Sequence, residues 1–166
     1  YPHSREEDWG AAYDVNVKGI FNCITALTPS MKEQRSGKIV NLASIAGREG
    51  RPAIPHYSAS KAAVINYTQG LAATLAEYNI NVNAVCPGLL WTPMWEQVGQ
   101  RYAGHNKDYA GLGAREVFDR MIADVIPLGR EQTPEDIGDA VSFLVSDDAH
   151  NITGQALNID GGAFLR

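Results

Sequence analysis

Cysteine is scarce in this 166-residue chain. Cys23 and Cys86 are the only two, and they give neither a metal-ligand spacing nor a disulfide framework. His3, His56, His105 and His150 stand apart from carboxylates and cysteines at ligand spacing, so no metal site is expected. Long apolar runs are missing as well: no stretch approaches the ~18 residues that cross a bilayer, and nothing near the N-terminus has the form of a secretory signal. Positive charge is in short supply, with 14 Lys and Arg against 19 Asp and Glu. That balance lacks the basic stripe a phosphate backbone requires, which argues against a nucleic-acid partner. A reducing cytoplasm is the expected setting. The chain also lacks an initiator Met, opening Tyr1-Pro2-His3-Ser4 with no strand ahead of its first helical pattern. A piece of something longer is expected.

What is present is ordinary globular material, 45% hydrophobic and 20% charged. Such a length matches one packed unit, 1–166, with a single core. Ser4-Arg-Glu-Glu7 has the capping-box form, and Trp9, Tyr13, Val17, Ile20, Ile24, Leu27 and Met31 follow at steps of three or four. The spacing predicts one long amphipathic helix, bent or interrupted at Pro29 and closed by Gly37. Lys38 to Ala43 reads as a buried parallel strand bounded by small residues. A second helix is predicted over Pro55–Tyr78, stopped by Asn79 in the left-handed conformation, then a strand from Ile80 to Cys86 ended by Pro87-Gly88. Residues 89–132 form a helix-and-loop excursion carrying Trp91, Trp95, Tyr102 and Tyr109, the kind of segment that serves a binding site. Thr133 caps a third helix that has Pro134 in its first turn and runs to Leu144, and Gln155 to Ile159 make a last strand. The order predicts an α/β layered architecture with parallel strands. Three strands leave it incomplete, since an open parallel sheet is covered on both faces and an uncovered edge exposes apolar backbone.

Tyr57 and Lys61 stand one helical turn apart, so their side chains share a face about 5–6 Å apart at Cβ. A free phenol has a pKa near 10 and is a poor base at neutral pH. An ammonium ~5 Å away at an effective dielectric near 20 contributes ~3 kcal/mol, or ~2 pKa units, which would bring the phenol close to 8. By itself the pair is common on helix surfaces. Ser44 adds to it, thirteen residues earlier at the carboxyl end of a strand, where ligands bind in open parallel sheets. Its hydroxyl could hold a carbonyl or alcohol oxygen beside the phenol. Trp91 and Trp95 read equally as a substrate wall or as loop packing. Gly111-Leu-Gly113 has Glu116 where a third glycine would complete a dinucleotide turn, so these are loop glycines. Ser44 has no hydrolase elbow around it.

The blocks Asn16-Val-Lys-Gly19, Ile39-Val-Asn-Leu-Ala-Ser-Ile-Ala-Gly47, Tyr57-Ser-Ala-Ser-Lys61, Asn83-Ala-Val-Cys-Pro-Gly88, and Thr153-Gly-Gln155 through Asp160-Gly-Gly162 occur in one order and spacing. Together they resemble the C-terminal two-thirds of a short-chain dehydrogenase/reductase. The resemblance implies a Rossmann-like doubly wound parallel sheet whose N-terminal cofactor-binding half is absent from the chain, with 89–132 as the substrate loop or lid. It implies hydride transfer between NAD or NADP and a secondary alcohol or ketone, a polyol, sugar or diol by analogy of the lid. Tyr57 is then the general acid/base and Ser44 orients the reacting oxygen. Lys61 holds the nicotinamide ribose, and Asn16, otherwise a buried helix amide, anchors a water leading to Lys61. Pro87, Gly88 and Thr92 lie under the nicotinamide, although Pro87-Gly88 also reads as a plain strand-ending turn. A homotetramer or homodimer is implied through the helices at Ser4–Met31 and Pro55–Tyr78 and the strand near Leu157. Two other readings follow from the same blocks: a non-catalytic fragment acting through those helices, and a related epimerase or dehydratase sharing Tyr57 and Lys61.

Overall fold

The computed structural model describes residues 4–165; the N-terminal Tyr1-Pro2-His3, and with it the expectation that His3 is no metal ligand, lies outside the described residues. Three parallel strands form one sheet in the order β1-β2-β3, with β1 at Gly37–Leu42, β2 at Ile80–Pro87 and β3 at Ala156–Ile159. The register pairs Gly37 with Ile80 through Leu42 with Val85, and Ala84 with Ala156 through Pro87 with Ile159. All three predicted strands are therefore present within a residue of their expected bounds. Among the described residues, the outer edge of β1 is unpaired and Leu42 at its end is 54% exposed.

β2 is the centre of the core. Ile80 and Val82 pack with Ala72 and Leu75 of α3 (Pro55–Leu75), while Ala84 and Cys86 meet Val64 and Ile65 of the same helix. The alternate positions Asn81 and Asn83 are polar in a buried strand, and each is satisfied. Their amides donate to the carbonyls of His150 and Ile152, and the Asn83 oxygen accepts the Gln155 N–H, fixing the loop that leads into β3. α3 ends in a short 3₁₀ turn at Ala76–Tyr78, and Asn79 takes the left-handed conformation with φ 59°, as its position predicted.

The first helical region departs from expectation in three ways. Its cap is displaced by one residue: Arg5 is the extended N-cap residue of α1 (Glu6–Tyr13), and its N–H donates to the Asp8 carboxylate at 2.8 Å. Ser4 instead accepts a bond from the Trp9 indole N–H at 3.1 Å. A π-helical segment, Asp14–Lys18, interrupts the α-helical pattern before α2 (Gly19–Gln34). Steps of three or four residues fit both helix types, so the apolar spacing gave no warning of the extra residue. Pro29 does not break the helix, which continues to Gln34 and terminates on Arg35 in the left-handed conformation, ahead of Gly37. Of the apolar stripe from Trp9 to Met31, only Ile24 is buried.

The excursion holds two helices, α4 (Pro93–His105) and α5 (Ala114–Val125), packed together. Gly99 allows their close approach, since a methyl group there would stand 2.6 Å from the Ala114 carbonyl oxygen. Thr133 caps α6 (Pro134–Val145) as predicted, its hydroxyl accepting from the Asp136 N–H while the Asp136 carboxylate accepts from the Thr133 N–H. Gly111, with φ 82°, is a loop glycine, and the Gly113 N–H donates to Glu116 at the start of α5.

Candidate active site

β1 delivers Ser44 to the carboxyl end of the sheet. The chain turns there through a short 3₁₀ segment, Ile45–Gly47, whose Ala46 N–H donates to the Ser44 hydroxyl at 3.1 Å. Ser44 is 8% exposed. The first turns of α3 bring Tyr57 beside it, near enough for the Ser44 hydroxyl to favour the phenolate form. Lys61 is buried on the next turn, with Nζ 5.7 Å from the centre of the Tyr57 ring. Its ammonium donates to the Leu42 carbonyl at 2.8 Å, using one of its three donors.

The electrostatics differ from the sequence-based estimate for Tyr57. Burial pushes its phenol above the usual tyrosine value, and the neighbouring Ser44 hydroxyl only partly offsets this. Lys61 does not bring the phenol down toward 8 here, because its ammonium is engaged by the Leu42 carbonyl and burial weakens that ammonium's own hold on its proton. Tyr57 in this state is an acid that keeps its proton at neutral pH.

Asn16 sits in the π-helical segment, where single-turn π-bulges frequently mark functional sites. Its amide donates to the Ser60 hydroxyl at 3.0 Å, and Ser60 in turn donates to the Tyr57 carbonyl at 2.8 Å. Asn16, Leu42 and Lys61 also line one cavity of about 280 Å³. Ser60, fully buried between Asn16 and the backbone of Tyr57, was not singled out from the sequence. Its place beside Lys61 was the available signal.

The remaining candidates lie further along the same end of the sheet. Pro87 ends β2, and the Gly88 N–H donates to the Ile159 carbonyl at 3.0 Å. A methyl group on Gly88 would stand 2.8 Å from Asp160 Cα, so packing against the neighbouring strand end already demands glycine there. Thr92 caps α4, its hydroxyl accepting from the Trp95 N–H at 3.4 Å. Trp91 and Trp95 both meet Phe118 edge-on, at centroid distances of 5.2 and 5.1 Å, within a cluster built around Phe118, Ile122 and Ile126. Their packing role is thus realised, and the Arg115 guanidinium also stands 5.1 Å over the Trp91 ring. Asp160, quoted from the sequence only within the Asp160-Gly-Gly162 block, and Gln132, which sequence reasoning passed over, are buried polar residues. Asp160 accepts from the Gly162 and Phe164 N–H groups, and the two glycines beside it were a visible sign of such a turn. Among the described residues, no three His, Cys, Asp or Glu side chains converge as metal ligands, and no helix is long and apolar enough to cross a membrane.

A parallel α/β sheet with Ser44, Tyr57 and Lys61 gathered at its carboxyl end narrows the choice of family, and comparison with known proteins decides it. The family model described as enoyl-(acyl carrier protein) reductase, one of the short-chain dehydrogenase/reductase models, matches residues 1–163. The 3-oxoacyl-[acyl-carrier-protein] reductase FabG of Thermotoga maritima is 42% identical over 161 residues, covering 97% of this chain and 59% of that protein. Among solved structures, an NAD+-bound xylitol dehydrogenase superposes with a TM-score of 0.86 at 36% identity, over 95% of this chain and 61% of the other. Sorbitol-6-phosphate 2-dehydrogenase SrlD from Erwinia amylovora gives 0.89 at 30% identity, over 99% and 63%. The chain belongs to the short-chain dehydrogenase/reductase family. It spans about three-fifths of the length of these relatives, and its three-stranded sheet corresponds to part of a Rossmann fold.

Proposed function

We propose that this chain carries the acid/base and substrate-covering part of an oxidoreductase that interconverts a secondary alcohol and a ketone with NAD or NADP. The observation that carries this reading is the Tyr57 phenol set beside the buried Ser44, with the buried Lys61 ammonium 5.7 Å from the centre of the Tyr57 ring. A nicotinamide, when bound, supplies or accepts the hydride at the substrate carbon. Tyr57 gives its proton to the oxygen as a carbonyl becomes an alcohol, and takes one back in the reverse direction. Ser44 holds that oxygen beside the phenol. Lys61 fits the ribose of the cofactor, because two of its three N–H donors are free of the Leu42 carbonyl and a vicinal diol can accept them. The cavity that Lys61 shares with Asn16 suits a water through which Tyr57 regains its proton. Pro87, Gly88 and Thr92 form the cofactor floor in this reading, and residues 89–132, with Trp91 and Trp95, form the lid.

A polyol, sugar or diol substrate is the preferred class. Its support is the likeness to xylitol and sorbitol-6-phosphate dehydrogenases and a lid that mixes aromatic with polar and charged residues. Assembly as a homodimer or homotetramer belongs to the same proposal, supported by Phe21 and Leu27 on α2, 53% and 56% exposed. The test is Tyr57→Phe in the full-length protein, assayed with NAD and NADP against polyols, diols, ketones and a 3-oxoacyl thioester. Turnover falls by about a thousandfold while cofactor binding persists. Turnover equal to that of the unaltered protein removes Tyr57 from the mechanism, and activity confined to the thioester removes the polyol reading.

A further inference from the structure

Residues 89–132 leave the sheet at Leu89 and come back beside it, and Gln132 makes that contact. The Gln132 N–H donates to the Leu89 carbonyl at 3.1 Å, and the Leu89 N–H donates back to the Gln132 side-chain oxygen at 2.8 Å. The pair imitates a rung of β-sheet in which a side chain supplies one acceptor. The Gln132 amide nitrogen donates to the Arg130 carbonyl at 3.2 Å, so both ends of the amide are used. Gln132 is 5% exposed, and a methyl group on Gly161 would stand 3.1 Å from its Nε2. The returning limb is pinned a second time where the Leu128 N–H donates to the Gly161 carbonyl at 3.1 Å. Leu89 directly follows Pro87-Gly88 and joins the aromatic cluster of Trp91, Trp95 and Phe118.

We propose that Gln132 is a positioning residue: it latches the neck of the 89–132 segment and thereby fixes how that segment sits over the Ser44–Tyr57 site. Nothing else in the side-chain repertoire serves as well. A shorter residue does not reach the Leu89 N–H, an aliphatic one leaves that half-buried donor without an acceptor, and a carboxylate meets the donor but opposes the Arg130 carbonyl. The catalytic consequence rests on the reading given under Proposed function; the latch itself does not.

The test uses the full-length protein with Gln132→Leu and Gln132→Glu. Loss of a buried acceptor at the usual cost corresponds to about a tenfold change in an equilibrium. Gln132→Leu therefore lowers the protection of the Leu89 amide against hydrogen exchange about tenfold, and speeds proteolytic cleavage within 89–132 by a similar factor. Protection of β2 amides from Ile80 to Val85 stays unchanged. Gln132→Glu keeps an acceptor and restores Leu89 protection to within about threefold of the unaltered protein. With an alcohol substrate, Gln132→Leu raises KM about tenfold with kcat within about twofold. Unchanged Leu89 exchange in Gln132→Leu, or protection lost equally along β2, overturns the latch. The exchange pattern as stated, together with no turnover on any alcohol or ketone by the unaltered protein, keeps the latch and overturns the proposed function instead.

Discussion

Gly47 lies against the backbone of Lys61 so closely that a methyl group on it would stand 2.6 Å from the Lys61 carbonyl carbon and 2.7 Å from its oxygen. This contact seats the turn that carries Ser44 on the helix that carries Tyr57 and Lys61. The clash would involve backbone on both sides, so no side-chain rotation relieves it. Gly47→Ala is expected to lift the turn from α3, costing about 1–3 kcal/mol of stability as overpacking does. Ser44 and Tyr57 would move apart with it. Thermal unfolding measures the first effect and turnover the second. A variant as stable and as active as the original would show that this contact does not set the site.

The blocks around Ser44, Tyr57 and Lys61 were legible because each combines a local structural signal with an unusual residue. A buried strand ends in small residues, and a helix opens with a tyrosine four positions ahead of a lysine. The strands were legible for similar reasons, β2 through its apolar alternate positions and β3 through the turn at Asp160-Gly161-Gly162 that follows it. What escaped depended on partners distant in sequence. Asn16 meets Ser60 across 44 residues, and Gln132 meets Leu89 across 43; no periodicity encodes either contact. The π-helical turn at Asp14–Lys18 was hidden because an apolar stripe looks the same with or without one extra residue. The lowered Tyr57 pKa expected from its spacing to Lys61 is not realised, for a physical reason. Spacing fixes how near an ammonium stands, but it does not report how deeply the phenol is buried or that the ammonium has turned to the Leu42 carbonyl.

The direction of the Tyr57 shift gives the pH dependence a definite sign. A raised phenol holds its proton through neutral pH, so reduction of a ketone, which uses the protonated form, should be flat there and decline only above about 10. Oxidation uses the phenolate and should climb with pH over the alkaline range. Ser44→Ala removes the one interaction that lowers this pKa, and the rising limb of the oxidation profile should move further toward alkaline pH. Because the folded pKa lies above the unfolded one, the neutral phenol's contribution to stability is complete below about 10 and is lost as pH rises through the folded value. Rate profiles in both directions, run with Tyr57→Phe as the blank, provide the check. An oxidation profile already level at neutral pH would contradict the buried, protonated phenol.

Asn16 offers a test that separates proton movement from hydrogen-bonded structure. Its amide supports Ser60 and lines the cavity shared with Lys61. Asn16→Ala should cost about 1 kcal/mol through the lost bond to Ser60. Asn16→Asp retains a polar group in the cavity but presents oxygen where the Ser60 hydroxyl, already donating to the Tyr57 carbonyl, needs a donor. If the cavity serves proton return, both variants lower kcat while the KM for cofactor changes little, and the solvent deuterium isotope effect on kcat rises. An isotope effect identical to that of the unaltered protein would reduce Asn16 to a structural amide.

The 166-residue polypeptide on its own presents a particular hazard that follows from the sheet. Among the described residues, the outer edge of β1 offers unpaired backbone groups beside a groove of about 400 Å³ between β1 and α2, lined by Ile20, Leu27, Met31 and Ile39 among others. Val15 and Leu42 nearby are 73% and 54% exposed. Open parallel edges next to apolar surface template further strand pairing, and patches of this kind drive association in water. Expressed alone, the chain is therefore expected to aggregate or to unfold without a cooperative transition. Leu27→Lys, which puts a charge into the groove without touching β1, should increase the soluble fraction, as gatekeeper charges do. Light scattering on a sizing column together with a thermal melt decides the matter. A monodisperse monomer with a single sharp transition would show that this part of the fold carries enough core to stand alone, with its exposed edge harmless.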